Sequence, residues 1–329
     1  MGSILGIGET IVDILFRNGQ PERAVPGGSV FNALVSLSRM GLQTTFVGEA
    51  GSDEVGNLVT DFMQENGMSQ DYVTRYASLP SPVSLAFLDQ HNDAKYVFYK
   101  QRPKGLGAGR LPRINAEDAL LFGSFYALDD DTRERMVPLL ERANEAGAFV
   151  YYDPNFRSSH LKERERLLAH VVTNMESASV VRGSDEDFHL LFEGKGPDKR
   201  RPFEDRMLWI ERLYRERLSR YSPYVVCTCG AEGVLLFTPE SSKHYEAAAV
   251  RTVSTVGAGD NFNAGFLYGL LTGTTYASLS PLPPRDRLAR LKENEWETCL
   301  KWGLRFAADV CSQTGNHVSD DFVQEHKKS

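Results

Sequence analysis

The residues best placed to do chemistry gather in one stretch, Thr255-Val-Gly-Ala-Gly-Asp-Asn-Phe-Asn-Ala-Gly-Phe266. Phe262, Phe266 and Leu270 recur at helical spacing, which predicts a helix starting near Gly259. Gly257, Ala258 and Gly259 precede it. Residues this small let backbone N–H groups approach an anion closely, and a helix N-terminus adds positive potential. Together they make an anion hole. Asp260 stands at the same end, either as a helix N-cap or as a base aimed at whatever the hole binds. The tight Gly-Ala-Gly run favours the base.

Three more stretches carry polar groups at suggestive places. In Val225–Phe237 an apolar strand runs into Thr228, then Gly230 and Gly233, then a second apolar strand. This is a hairpin turn or a nucleotide loop near the anion hole. In Pro26-Gly-Gly-Ser-Val-Phe-Asn-Ala33, Gly27 and Gly28 open a helix with Asn32 in its first turn. An Asn amide donates and accepts at once, which suits a sugar hydroxyl. Asp13, inside an otherwise apolar strand, needs a partner too. Asp153-Pro-Asn-Phe-Arg157 directly follows an apolar strand, and ligands bind at the carboxyl ends of strands in open α/β sheets. Arg157 could hold an anion or pair with Asp153.

The elements that must position these groups alternate along the chain. Strand-like runs are Ile4–Gly8, Thr44–Gly48, Ala119–Gly123, Ala148–Asp153, Ser179–Arg182 and Tyr224–Thr228. Helical runs are Ser29–Met40, with Ser29 placed to cap it and Gly41 to end it, and Glu54–Asn66, closed by Gly67. The alternation predicts a parallel sheet covered on both faces. Val83–Leu88 and Lys95–Lys100 alternate around a polar turn at His91, Asn92 and Asp93, which reads as a β-hairpin. With Ile11–Phe16 it forms a small separate sheet or else supplies edge strands to the main one. Gly194–Arg206 and Gly273–Arg287 read as surface insertions.

Composition bounds the function. The 329 residues carry 37 Lys and Arg against 44 Asp and Glu, a net charge of −7. With 41% hydrophobic residues this is a globular chain able to bury a core without staples. The acidic balance argues against nucleic-acid binding. No apolar run is long enough to span a membrane, and the N-terminal stretch carries Glu9 and Asp13 with no basic start, unlike a signal peptide. A cytoplasmic location is expected. There are four cysteines, Cys227, Cys229, Cys299 and Cys311, and Cys227 and Cys229, alternating within an apolar run, are expected to be core thiols and not a metal pair.

Taken in order, these stretches resemble the ribokinase-like (PfkB) family of carbohydrate kinases. Gly27, Gly28 and Asn32 match its N-terminal pattern. Val47-Gly-Glu-Ala-Gly-Ser-Asp53, with Gly56 and Gly67, is similar to its next block. Asp153-Pro-Asn-Phe-Arg157 is similar to the version in the fructokinase-like branch. Thr228-Cys-Gly-Ala-Glu-Gly233 resembles the nucleotide loop, and Gly257-Ala-Gly-Asp260 the C-terminal signature. The blocks cover residues 4 to about 315.

The resemblance implies one Rossmann-like three-layer α/β/α sandwich over residues 1–329, with a small β-sheet lid from about 10–26 and 80–102. It implies ATP as donor, Mg²⁺ held mainly through the phosphates, and a sugar as acceptor, with fructose first. The acceptors 2-keto-3-deoxygluconate, ribose and a nucleoside are the alternatives within the family. Asp260 would be the base, and Gly257, Ala258 and Gly259 would stabilise the transferring phosphoryl group. Asp13, Gly27, Gly28, Asn32 and Arg157 would bind the sugar. Ser184, Thr228, Gly230 and Gly233 would line the nucleotide site, with Asp187 reaching the metal through water. A homodimer through the lid is compatible with its strand edges.

Three positions depart from the family pattern. Ser254 replaces an Asp that often helps bind a monovalent cation, which leaves K⁺ activation open. Asp187 replaces a Glu. Lys100 stands where an Arg is common, a point charge in place of a fork. Outside this family, a non-catalytic sensor on the same fold and a nicotinamide oxidoreductase compete. The second rests on Gly6-Ile-Gly8 alone and lacks its third glycine, Ile11 standing there. A P-loop kinase is excluded, because no Gly-x4-Gly-Lys-Ser/Thr occurs.

Overall fold

The strands of the core are apolar on both faces, so the sheet they form must be covered twice. A computed structural model describes residues 2–88, 94–101 and 109–327. Its strands are β1 (Ile4–Ile7), β2 (Ile11–Arg17), β3 (Gln20–Gly27), β4 (Thr44–Gly51), β5 (Val73–Tyr76), β6 (Val83–Leu88) and β7 (Ala94–Tyr99). They continue with β8 (Ala119–Gly123), β9 (Phe149–Asp153), β10 (Val180–Ser184), β11 (Val225–Thr228), β12 (Val234–Phe237) and β13 (Ser242–Tyr245). Nine of them form one sheet in the order β13-β12-β11-β10-β9-β8-β1-β4-β5. All its pairings are parallel except the β11–β12 and β12–β13 hairpins at one edge. The other four form the separate small sheet, β3-β2-β6-β7, so these strands do not extend the main one.

The helices are α1 (Ser29–Arg39), α2 (Glu54–Glu65), α3 (Asp130–Ala146), α4 (Arg164–Ser177), α5 (Asp185–Glu193), α6 (Phe203–Leu213) and α7 (Ser219–Tyr221). Four follow: α8 (Ala258–Gly273), α9 (Pro284–Ala289), α10 (Glu293–Cys311) and α11 (Asp320–His326). Strand residues alternate between two cores. Ile4, Leu121, Tyr151, Val226 and Leu236 pack on the side of α1, α8 and α10. Leu5, Phe122, Tyr152, Cys227 and Phe237 pack with α3 to α6 on the other. Helix α1 lies so close to β1 that a Cβ on Gly6 would meet Val30 at 2.5 Å.

Several local expectations are corrected. Gly28, at φ 135°, is the N-cap of α1, and Ser29 is its first helical residue. Only a glycine fits there, since a Cβ would lie 2.2 Å from the Glu9 carbonyl oxygen. Gly27 ends β3 and does not open the helix. Strand β3 itself was not expected; it is polar and carries two prolines, which an edge strand tolerates. The 194–206 segment is already helical from Phe203. The 273–287 segment is anchored: Arg287 is buried, donating to the carbonyls of Leu282, Ala116 and Gly147. All four cysteines are free, and Cys227, Cys229 and Cys299 are buried. The turn expected at His91, Asn92 and Asp93 lies outside the described residues.

Candidate active site

The parallel strands bring their carboxyl ends to one edge, where the site is built. Helix α8 begins there. Gly257 is its N-cap in a left-handed conformation, φ 79°, and Asp260 is its third residue, so Asp260 is not the cap. Asn261 fixes this end of the helix, donating from Nδ2 to the carbonyls of Gly257 and Asn316, both at 2.8 Å. Its Oδ1 accepts from Ser36 Oγ on α1. The first turn of α1 then meets the first turn of α8: Ser29 Oγ donates to Asp260 Oδ1 at 2.7 Å, and Asn32 Nδ2 to Oδ2 at 2.8 Å. Burial raises the Asp260 carboxyl above its usual range, Asn32 and Ser29 oppose that, and the charge of Asp153 adds to it. A carboxylate of raised basicity, fixed by two donors at the head of a helix, can take a proton from a hydroxyl.

Asp13 comes to the same place from the small sheet. Gly27 lies between the polar groups of β2 and α1, where a Cβ would sit 3.1 Å from Asp13 Oδ2 and 3.5 Å from Asn32 Oδ1. Asp13 accepts from Ser84 Oγ. Burial pushes its carboxyl up to about 6, against the Ser84 hydrogen bond and helped by Asp260 and Glu9. Asn32 Oδ1 is buried with no partner among the described residues, an acceptor left for a ligand. On the other side, Lys100 Nζ pairs with Glu9 Oε2 at 3.2 Å. It also lies 5.7 Å from the Phe125 ring centroid. The His160 ring stacks on Phe125 at 4.8 Å and meets Phe156 edge-on. Burial, then Lys100 and Arg157, push the His160 pKa down to about 4, so this ring is neutral.

The residues after β9, β10 and β11 form the remaining wall. Arg157 does not pair with Asp153. Asp153 is committed to Arg182, whose Nη1 donates to Oδ2 at 2.7 Å, and to Asn263 Nδ2, also at 2.7 Å. Arg157 is exposed. Ser184 and Asp187 form a capping box on α5: Ser184 N and Oγ donate to Asp187 Oδ2, and Asp187 N donates back to Ser184 Oγ. Asp187 Oδ1 is buried without a partner among the described residues. Burial, followed by Asp153, raises the Asp187 carboxyl. Gly230 and Gly233 sit in the β11–β12 hairpin with φ 62° and 97°, so this segment is a turn as well as a candidate loop. A Cβ on Gly233 would meet the Tyr245 carbonyl oxygen at 2.1 Å.

The structure thus brings Asp13, Gly27, Gly28, Asn32 and Asp260 together, with Gly257–Gly259 at the head of α8. Sequence reasoning missed Ser29, which it used as a cap, and Arg182, which it used as a strand end. It also left out Glu9 and His160. No residue pattern marked Arg182, because its partners are Asp153 and Thr228, remote in sequence. Among the described residues, no group of three or more His, Cys, Asp or Glu could hold a metal ion. No helix among them is long and apolar enough to cross a membrane.

A helix N-terminus beside a carboxylate held on both oxygens, next to the small sheet, is an arrangement that can move an anionic group onto a hydroxyl. The chain belongs to the pfkB family of carbohydrate kinases, whose model matches residues 8–321. It is 29% identical to a fructokinase of Rhizobium leguminosarum bv. trifolii, over 97% of this chain and 98% of that protein. It is 26% identical to the aminoimidazole riboside kinase of Salmonella typhimurium, over 82% of this chain and 81% of that one. Among solved structures, a fructokinase from Vibrio cholerae O395 bound to fructose, ADP and calcium ion shares the fold with a TM-score of 0.78. The two are 22% identical over 98% of each chain.

Proposed function

We propose that this chain phosphorylates a neutral sugar, fructose first, using ATP. The observation that carries the reading is the Asp260 carboxylate, held on both oxygens by Ser29 and Asn32 at the head of α8. In this mechanism Asp13 and Asn32 Oδ1 hold sugar hydroxyls on the floor made by Gly27 and Gly28, with Arg157 at the rim. Asp260 takes the proton from the reacting hydroxyl as its oxygen bonds to the γ-phosphorus. The bond between that phosphorus and the bridging oxygen to the β-phosphate breaks, and ADP leaves. The N–H groups of Gly257 and Gly259 receive the charge on the transferring group, while Ala258 N donates to the Thr255 carbonyl at 3.2 Å and shapes the turn between them. Thr228, Gly230 and Gly233 line the nucleotide side.

The donor set fits a metal carried by phosphate and not by a protein cage. Among the described residues, Asp187 Oδ1 is a buried carboxylate oxygen without a partner, suited to a bridging water, with Ser184 fixing its other oxygen. Mg²⁺ bound with ATP would neutralise the β- and γ-phosphate oxygens.

Fructose is preferred over a sugar acid because Lys100 is already paired with Glu9, so its charge is not free to receive a carboxylate. A nucleoside is the second reading, favoured by the Phe125–His160–Phe156 aromatic cluster beside Lys100. ATP consumption measured against fructose, ribose, 2-keto-3-deoxygluconate and nucleosides decides between them. A leading nucleoside or sugar acid would overturn fructose; silence on every acceptor with ATP still bound would favour the sensor.

The small sheet is read as a lid from about 10–26 and 80–102. Its exposed Phe98 and Tyr99, 54% and 59% accessible, support a homodimer through it. A monomer mass by light scattering would refute that. The free cysteines fit a reducing compartment such as the cytoplasm; recovery in a secreted fraction would refute it.

A further inference from the structure

Arg182 is a cation in a place where cations are expensive. Its side chain is 6% exposed in the middle of β10, among strands that are otherwise apolar. Nη1 donates to Asp153 Oδ2 at 2.7 Å, and Nη2 to Thr228 Oγ1 at 2.6 Å. A Cβ built on Gly259 would lie 3.0 Å from Nη2 and 3.1 Å from Nη1. Nε is buried with no partner among the described residues. One planar group therefore links the last residue of β9, the last residue of β11 and the head of α8. Burial works against its charge, yet Asp153 and Asp187 overcome this and hold its pKa above the ordinary guanidinium range.

We propose that Arg182 is a positioning residue that sets the nucleotide loop in register with the anion hole, through Thr228 on one side and Gly259 on the other. The reading of Gly257–Gly259 as the phosphoryl site is the premise. A pair with Asp153 alone would not explain an arginine. A lysine could satisfy one carboxylate, and a buried ion pair is weak evidence for stability in any case. Only a fork reaches Asp153 and Thr228 at once, in fixed geometry. The fork also explains why residue 259 is glycine although it lies within a helix, where Gly is otherwise disfavoured. The space a side chain would take is filled by the guanidinium. Its charge lies against Gly259 in a buried wall, where fixed charge acts strongly on a developing anion.

The test is a double-mutant cycle of Arg182→Lys and Thr228→Val on the full chain, with the best acceptor from the panel. Lys keeps the Asp153 pair and loses the Thr228 contact. The expected result for R182K is a rise of about fivefold or more in KM for ATP and a fall of about tenfold in kcat. KM for the sugar should stay within about twofold, and the thermal midpoint near wild type. T228V should raise KM for ATP too, and the double variant should be no worse than the more affected single variant, because both break one contact. Wild-type kinetics in R182K, an equal rise in both KM values, or independent effects that multiply would each overturn the proposal. Should R182K not fold, Gly259→Ala replaces it. Its Cβ, 3.0 Å from Nη2, obliges the guanidinium to give way at the head of α8, and an unchanged KM for ATP would sink the idea. Asp260→Asn separates the two levels. If D260N still turns over, the reading of the site fails; if D260N is dead while R182K is normal, only the role of Arg182 fails.

Discussion

Asn32 Nδ2 lies 2.8 Å from Asp260 Oδ2, across 228 residues of sequence. The proposed base therefore belongs to α8, while its orientation belongs to α1. Because the amide donates to Asp260, its Oδ1 faces away and is left as an acceptor. Asn32 thus links base and acceptor site, whereas Ser29 touches only the base.

That difference is measurable. A hydrogen bond to a charged group is worth about 1.5–3 kcal/mol, which is about tenfold or more in rate. Ser29→Ala should lower kcat by about tenfold and leave KM for the sugar within about twofold. Asn32→Ala should lower kcat and raise KM for the sugar together. Steady-state kinetics of the two variants checks this; a sugar KM that rises in S29A as much as in N32A would contradict the division of labour.

Asp13 imposes a stability cost that depends on pH. Burial pushes its carboxyl up to about 6 in the fold, against 3.8 for the unperturbed group. A raised carboxylate pKa means the folded state binds the proton more tightly than the unfolded one. Above about pH 6 the group is charged in both states and the fold carries the full burial cost, on the order of 2 kcal/mol after allowing for partial exposure. As pH falls from about 6 towards 4, protonation in the folded state relieves it. Asp13→Asn keeps an acceptor for Ser84 and removes the charge. It should raise the melting temperature at pH 8, with the gain shrinking towards pH 4. A gain that is constant with pH would rule out this account.

The Glu9–Lys100 pair predicts a switch of acceptor. With Glu9 in place, Lys100 is neutralised at 3.2 Å. Glu9→Gln leaves the ammonium free beside Phe125 and Arg157, able to receive a carboxylate. The ratio of kcat/KM for 2-keto-3-deoxygluconate over fructose should rise by about tenfold, roughly the worth of one charge-assisted hydrogen bond. Competition assays with both acceptors would show it. A ratio unmoved by E9Q would mean that Lys100 does not face the acceptor.

What the sequence makes legible is what one short stretch contains. Gly257, Gly259 and Asp260 lie within four consecutive positions, so their type and spacing suggest the proposed anion hole and base by themselves. The buried strands are equally plain, because being covered on two faces leaves them continuously apolar. Arg182 is different. Its meaning comes from Asp153, 29 residues away, and Thr228, 46 away, and only the parallel order β9-β10-β11 brings them to one edge. Strand β3 hid behind its prolines and charges, since an edge strand with exposed residues shows no apolar alternation. Ser29 read as a cap because Ser usually is one. The backbone at Gly28, which only glycine can adopt against Glu9, moves the cap back one residue and turns the serine hydroxyl towards Asp260.

Ser254 leads to the last expectation. The family resemblance places an Asp there in many relatives, and that carboxylate often helps hold a monovalent cation. In this chain the Ser254 hydroxyl accepts from Val256 N at 3.2 Å, closing a local turn. The backbone beside it is occupied as well: Val253 N and Ser254 N donate to the Cys311 carbonyl, at 2.8 and 3.3 Å. A neutral oxygen thus replaces a full negative charge, and it is already engaged in shaping the loop that leads into Gly257. Replacing KCl by choline chloride at constant ionic strength should change kcat by less than about twofold, since a hydroxyl offers a cation far less than a carboxylate. Ser254→Asp should make the rate depend on K⁺, with an increase of about fivefold or more on adding the ion. Strong K⁺ activation of the wild-type enzyme would show instead that carbonyl oxygens alone hold the cation, and the turn closed by Ser254 would then be part of that site and not its replacement.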